Sequence, residues 1–360
     1  MSGSTTELNL ATAVDSDDNA DYLTLSLANS LRTVDALFNN VTGHNHGGAH
    51  QGGAIAPAAI PGGSITNAML GADVARDSLL TNGGFEVWQR GNGPFSASGA
   101  YCADRWSLAP GSGSSFSNVL KVNSPAPGGG QYSLNGTYTH SAASYILQQI
   151  KTSEGGLGGG PGAGAGVVLS LSMYVTTATA NAVRIGLQTD GTGGTITYSA
   201  FHTGAGGFAR LTVANIAVPT DATFVSVLIA LSASCTFYVD NAMLVVGSQA
   251  ANYVPMHPAD DLARCLRYYE IIGDASQVPI ISGYNTAGLA QYTTFPYKVQ
   301  KAITPTVTKN GTWGVSNCGQ PSVTNFSVQG VTAQVTVTAT GGVITNPSGP
   351  GQNFSNESNP

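Results

Sequence analysis

Three histidines, His44, His46 and His50, stand among glycines in the run GHNHGGAHQGG, where no metalloenzyme spacing applies. Elsewhere the residue types that do chemistry are sparse. Asp, Glu, Lys and Arg make up 9% of the 360 residues, against about a quarter in ordinary soluble proteins. Carboxylates recruited from separate strands can act as a hydrolytic pair, but so few are present in the β region that a non-enzyme is expected. GxSxG, HExxH and zinc-deaminase spacings are all missing from the chain. Cys102, Cys235, Cys265 and Cys318 lie far apart without a CxxC, which argues against a disulfide framework and a zinc site. The run GGLGGGPGAGAG at 155–166 has no Lys-Ser/Thr pair after it and is expected to be a surface loop, not a phosphate cradle. A net charge of −6 without a basic cluster leaves nothing to neutralise a phosphate backbone, so no nucleic-acid partner is expected.

A ligand site is better sought on the wet faces of strands. Over 167–176, Val167, Leu169, Leu171, Met173 and Val175 fall on one side, and Val168, Ser170, Ser172, Tyr174 and Thr176 on the other. In 182–189 Val183, Ile185 and Leu187 point inward with Arg184 and Gln188 outward, and Val225, Val227, Ile229 and Leu231 repeat the period in 223–231. Tyr174, Arg184 and Gln188, with Tyr198, are the candidate ligand residues: adjacent strands of one sheet would bring a flat ring beside hydrogen-bonding groups, as a sugar requires. Trp88 and Trp106 have the face to stack on a pyranose, but their settings beside NGGFE and after ADR assign them to the core.

Around these strands the chain divides into unlike pieces. Over 17–41 the residues Ala20, Leu23, Leu27, Val34, Leu37 and Val41 keep a/d heptad spacing behind Asp17 and Asp18 as caps, which predicts an amphipathic helix. Its apolar stripe must be covered, by self-association or by folding back on the protein's own body. A Gly/His-rich shaft or linker follows over 44–78. After Pro255, Asp260 reads as a cap for a short helix bearing Leu262, Leu266 and Tyr269, and TAQVTVTAT then predicts a small C-terminal β domain with Trp313 in its core. The tail NPSGPGQNFSNESNP has little apolar content and is expected to be mobile unless a neighbouring chain holds it. The N-terminus lacks a basic segment before an apolar run, and eighteen continuous apolar residues occur nowhere, so neither secretion by signal peptide nor a membrane span is expected.

Two segments carry a resemblance. LLTNGGFEVWQRG at 79–91 and FYVDNAMLVVGSQAANYVPMHPADDLARCLRYYE, which closes at Glu270, resemble the frame of jelly-roll carbohydrate-binding modules as these occur in phage tail and fibre proteins. The resemblance covers 79–270. It implies a structural Ca²⁺ tying the first and last strands through Glu86 and Asp240; read without it, Glu86 is a surface residue and Asp240 caps a turn or pairs with Arg105. The HxH pair His44 and His46 resembles the axial histidines of trimeric phage fibres, in which three chains surround one metal. Residues two apart on an extended strand point the same way, so three chains would supply six imidazoles, an octahedral nitrogen site for Fe, Ni or Zn. The alternative is a plain solvated linker.

The resulting expectation is a mainly β protein: N-terminal helix (1–43), Gly/His-rich shaft (44–78), jelly-roll β-sandwich (79–257), helical connector (258–275), small C-terminal β domain (276–345) and flexible tail (346–360). Its expected place is the virion, as a homotrimer that contacts other virion proteins and adsorbs to a host cell-surface glycan. The alternative is a purely structural virion part, a head fibre, capsid decoration or tail adaptor that binds no sugar.

Overall fold

The computed structural model describes residues 77–153, 167–273, 281–347, 349 and 351–359, with short pieces at 3–4, 11–12 and 29. The chain forms two units, Met1–Thr66 and Asn67–Pro360. In the first, strands β1 (Gly3–Ser4) and β2 (Ala11–Thr12) pair antiparallel. The expected helix over 17–41, apart from helical Asn29, the pair His44 and His46, and the glycine run at 155–166 lie outside the described residues.

The second unit begins with a jelly roll. Ten strands follow in order: β3 (Ser107–Ala109), β4 (Ser115–Val122), β5 (Ser133–Thr139), β6 (Ser144–Lys151), β7 (Val168–Thr177), β8 (Val183–Thr189), β9 (Ile196–Tyr198), β10 (Ala209–Ala217), β11 (Phe224–Leu231) and β12 (Cys235–Val246). They form two five-stranded antiparallel sheets, β10-β7-β12-β5-β4 and β3-β6-β11-β8-β9. β6, β7 and β8 each lie in the opposite sheet from their predecessor, and β10, β11 and β12 do the same, which is the winding of a jelly roll. The inward sets of the period-two readings hold, whereas the face of β7 expected to be wet is covered, with Ser170, Ser172 and Thr176 buried. Leu169, Leu171, Met173 and Val175 of β7 share one core with Val183, Ile185 and Leu187 of β8 and Val225, Val227, Ile229 and Leu231 of β11, all fully buried.

Trp88 and Trp106 are core residues, as their settings predict. Trp106 is fully buried and donates from Nε1 to the Asn82 carbonyl at 3.1 Å, and Trp88 donates to the Phe85 carbonyl at 2.6 Å. The NGG turn passes tightly over β12. A Cβ on Gly83 would stand 2.3 Å from the Ala242 carbonyl oxygen, so no larger residue fits there.

Helix α1 (Pro258–Leu266) leads into the C-terminal strands. Its N-cap is His257, with Pro258 at the first helical position and Asp260 in the first turn; the cap expected at Asp260 lies two residues further on because proline, lacking an N–H, starts the helix. Nine strands follow: β13 (Tyr269–Ile272), β14 (Ile281–Asn285), β15 (Ala290–Pro296), β16 (Thr306–Lys309), β17 (Gly314–Ser316), β18 (Ser322–Phe326), β19 (Gly330–Thr336), β20 (Gly341–Asn346) and β21 (Phe354–Glu357). They nest into three antiparallel sheets, β13-β21-β16, β14-β20-β17 and β15-β19-β18, around Trp313, Val335, Val343 and Phe354.

The tail corrects the sequence reading. Residues 354–357 are the central strand of a sheet, and Phe354 is fully buried with its ring 4.8 Å from that of Trp313. Asn356 and Ser358 take the alternate inward positions and are satisfied there, Asn356 Nδ2 donating to the Glu270 carbonyl at 3.0 Å and Ser358 Oγ to the Arg267 carbonyl at 2.9 Å. One aromatic and a row of paired polar groups hold this strand, where composition alone argues for none.

The jelly roll and the C-terminal sheets are clamped together. Arg90 lies 3.6 Å over the Tyr269 ring and pairs with Asp104 at 3.3 Å and with Glu357. Arg105 stacks 3.8 Å over Tyr268 and donates to Asn359 Oδ1 at 2.6 Å.

Candidate functional site

The two sheets differ in what covers them. Outside the β10-β7-β12-β5-β4 sheet runs the chain that follows β12: Ser170 Oγ donates to the Gly247 carbonyl and Ser172 Oγ to the Ala251 carbonyl, both at 2.7 Å, and Arg210 donates to Ala250 and Ala251 at 3.1 and 2.8 Å. Tyr174 belongs to this face, across from Arg210 and Asp240 in the strand register. Arg184, Gln188 and Tyr198 lie on the other sheet. Tyr174 is therefore removed from the candidate site, because β7 and β8 are successive strands that the jelly roll deals to opposite sheets.

The outer face of the β3-β6-β11-β8-β9 sheet has a regular layout. One cross-strand row reads Ala109, Tyr145, Ala230, Arg184; the next Ser107, Leu147, Leu228, Gly186, Tyr198; the third Gln149, Ser226, Gln188, Ile196. Along β8 the face runs from Arg184 to Gln188, about 13 Å at strand rise. Gly186 decides the arrangement: a Cβ there would sit 2.9 Å from two carbons of the Tyr198 ring, so the ring packs against β8 only because residue 186 lacks a side chain. The Tyr198 hydroxyl then reaches the Tyr145 hydroxyl, 3.2 Å away. Burial, together with the Tyr145 hydroxyl, holds the Tyr198 phenol up at about 12, so it stays a neutral hydrogen-bonding group at physiological pH.

The Arg184 guanidinium sits 3.8 Å over the Tyr198 ring and 4.5 Å over that of Phe201. Phe201 is held by the segment that zips along β8 after β9: Ser199 N–H donates to the Ile185 carbonyl at 2.9 Å and His202 N–H to Val183 at 2.8 Å. Buried His202 closes the following turn. Its Nδ1 accepts from the Gly204 N–H at 3.0 Å, so the proton resides on Nε2 and is donated to the Gly207 carbonyl at 3.0 Å.

Reading the sequence missed Tyr145, Gln149 and Phe201. The alternation in SYILQQIK was available but is disguised, since Leu147 faces out while Gln148 faces in and is fully paired to Thr81, accepting from its N–H at 2.9 Å and donating to its carbonyl at 2.8 Å. Phe201 lies outside any strand and carries no periodic signal.

Glu86 and Asp240 are both held by the segment between β4 and β5. Glu86 Oε1 accepts from the N–H groups of Gln131 and Tyr132 at 2.6 and 3.1 Å. Asp240 is fully buried; its oxygens accept from Ala126 N–H at 2.8 Å and Asn241 N–H at 2.7 Å, and it makes no pair with Arg105. Burial, with the Glu86 charge adding to it, pushes the Asp240 carboxyl up to about 7. The bulge in β12 after Asp240 turns Asn241 toward the 127–130 loop, where its Oδ1 is buried without a partner. Glycines line this approach: a Cβ on Gly130 would fall 1.8 Å from Glu86 Oε1, and one on Gly129 would fall 2.5 Å from Asn241 Oδ1. Two carboxylates and an orphaned amide oxygen are a donor set that fits a hard cation such as Ca²⁺. Among the described residues no group of three or more His, Cys, Asp or Glu converges on a metal position. A carboxyl buried as fully as that of Asp240 is out of reach of a polymeric substrate.

All four cysteines are free and buried, and no helix among the described residues is long and apolar enough to cross a membrane. No protein-family model matches the chain, and no curated protein does. Several solved structures are similar to it in part. A family 61 carbohydrate-binding module, solved with β-1,4-galactotriose, is 17% identical at a TM-score of 0.31, with 48% of this chain and 99% of that one covered. The xylan-binding module of Paenibacillus barcinonensis Xyn10C is 16% identical at a TM-score of 0.32, covering 49% and 97%. The enzymatically active domain of bacteriophage CBA120 tailspike protein 4 is 13% identical at a TM-score of 0.32, and covers 47% of this chain but 21% of the tailspike chain.

Proposed function

We propose that this chain is a virion appendage protein whose jelly roll adsorbs the particle to a host-surface glycan, without catalysing a reaction. The observation that supports the reading is the outer face of the β3-β6-β11-β8-β9 sheet, where Tyr198 packs on Gly186, meets Tyr145, and carries Arg184 on its ring. The Tyr145 ring for the apolar face of a sugar, with the tyrosine hydroxyls and the amides of Gln149 and Gln188 for its hydroxyls, are the groups that carbohydrate recognition needs. A Ca²⁺ ion held by Glu86, Asp240 and the Asn241 amide oxygen would neutralise the buried carboxylates and tie β12 to the start of the domain. A homotrimer, with His44 and His46 of each chain around an axial Fe, Ni or Zn ion, would convert weak single-site contacts into firm attachment by effective concentration.

Affinity electrophoresis of the full-length chain against neutral and acidic polysaccharides tests the binding role. Tyr198→Ala should abolish retardation while leaving the melting temperature within a few degrees of wild type. Wild-type protein that is retarded by no polysaccharide overturns it. Light scattering tests the fibre: a trimer that loosens when His44 and His46 become alanine supports the axial metal, and a monomer in both reduces the proposal to a single binding module.

The structural role keeps one observation in its favour. Tyr284, Leu289, Tyr292, Phe326 and Ile344, large apolar residues of the C-terminal sheets, stand exposed, Tyr284 by 77%, as a surface that packs on another protein would.

A further inference from the structure

Arginines in this protein are generally engaged. Arg90 pairs with Asp104 and Glu357, Arg105 donates to Asn359 and to the Gln149 carbonyl, Arg210 to the carbonyls of Ala250 and Ala251, and Arg264 to that of Ser78. Among the described arginines Arg184 is the exception. Among the described residues no carboxylate, carbonyl or amide oxygen accepts a hydrogen bond from it, and its Nε, like those of Arg105 and Arg210, is buried without a partner. Its contacts are the two rings, Tyr198 and Phe201, that cover its flat faces. Stacking fixes the plane of the guanidinium and strips water from its faces, while the edge that carries the N–H donors is left unspent.

The surroundings supply no anion to complete it. The three cross-strand rows of the face contain tyrosines, glutamines, serines and aliphatic residues and no Asp or Glu. Asp190, just past the end of β8, is spoken for: its oxygens take the N–H groups of Thr223 and Phe224 at 2.8 and 2.9 Å and the Thr223 hydroxyl. With a net charge of −6 the chain has no general attraction for polyanions, so recognition of one has to come from a local, oriented cation.

We propose that the glycan taken by this face is acidic, and that its carboxylate or sulfate completes the ion pair of Arg184 by accepting from the guanidinium edge. This rests on the glycan-binding role of the same face and narrows it to a class of sugar. A carboxylate would engage the planar fork through two parallel hydrogen bonds, a geometry open to arginine and closed to lysine. Tyr198 and Tyr145 would then hold the ring that bears the charge.

The test is affinity electrophoresis, with titration calorimetry for polymers that bind, of the full-length chain against two matched pairs: polygalacturonate with its fully methyl-esterified form, and dextran sulfate with dextran. The acidic member of at least one pair should bind more than tenfold tighter than its neutral partner, and which pair does so separates carboxylate from sulfate. Arg184→Gln should lower that affinity about 10- to 100-fold, the value of a charged hydrogen-bonded contact. Arg184→Lys, which keeps the charge and loses the fork, should recover only part of it, and unchanged melting temperatures for both variants show that the fold is intact. Equal binding of acidic and neutral partners, or equal weakening of both by Arg184→Gln, overturns the acidic class and leaves the glycan-binding role standing. Acidic binding that survives Arg184→Gln overturns the assignment to Arg184. Absence of binding to all four polymers overturns both.

Discussion

Lys301 and Glu270 form an ion pair with almost no exposure, their side chains 0% and 2% accessible and the Nζ–Oε2 distance 2.8 Å. Lys301 also donates to the Leu266 carbonyl at the end of α1, and Glu270 Oε1 accepts from the Lys298 N–H at 3.4 Å. The pair thus ties α1, β13 and the segment after β15 where the C-terminal sheets begin. Removing one partner strands the other charge away from water, which costs about 3–5 kcal/mol, whereas replacing both by neutral groups of similar size is close to neutral. Glu270→Gln and Lys301→Met should each fall in that range, and the double variant should lie within about 1 kcal/mol of wild type. For a domain of this size each single change corresponds to a drop in melting temperature of at least about 12 °C. Urea unfolding followed by tryptophan fluorescence measures it, since Trp313 is buried in the C-terminal core. The pH response gives an independent check. Burial lowers the Lys301 pKa from its ordinary 10.5 while Glu270 opposes the fall, so without Glu270 the folded lysine holds its proton less tightly still. Between the lowered folded pKa and the ordinary 10.5 the unfolded chain then binds more protons, and the stability of Glu270→Gln should rise as the pH is raised toward 10. Single changes that each cost under about 1 kcal/mol, or a double change equal to the sum of the two, would refute a desolvated pair.

Three further outcomes follow from the same reasoning. Gly186→Ala should weaken glycan binding about as much as Tyr198→Ala, because the new methyl displaces the Tyr198 ring it would otherwise meet at 2.9 Å, and calorimetry on a stably folded variant checks it; Tyr174→Ala, on the other sheet, should leave the affinity unchanged. Phe354→Ala should destabilise the C-terminal sheets by about 3–5 kcal/mol, read as loss of cooperative unfolding at Trp313, and a silent variant would return the tail to the mobile state that its composition implies. Calcium should raise the melting temperature of the wild-type chain by mass action on the folded state, and Asp240→Asn with Glu86→Gln should remove that increase; an equal rise in the variant places the cation elsewhere.

What the amino-acid sequence determines here is local. A strand's side chains alternate with a period of two, so the inward sets of β7, β8 and β11 are legible without coordinates, as are the outward places of Arg184 and Gln188. Tightness at NGG is legible as well, because a Gly-Gly pair before an aromatic marks a close approach of backbone. Partnership between distant segments is not local, and the tertiary structure alone decides it. Tyr174 and Arg184 are ten residues apart and carry the same outward signal, yet the winding places them on opposite sheets. Tyr145 and Tyr198, more than fifty residues apart, touch through their hydroxyls because β6 and β8 both pair with β11 and Gly186 leaves room for a ring. The tail shows the same limit: too polar to fold by its composition, 354–357 is ordered because β13 and β16 offer it two ladders of backbone hydrogen bonds and Trp313 a face for Phe354. Backbone groups pair with whatever the fold brings beside them, and a single sequence does not state which segment that will be.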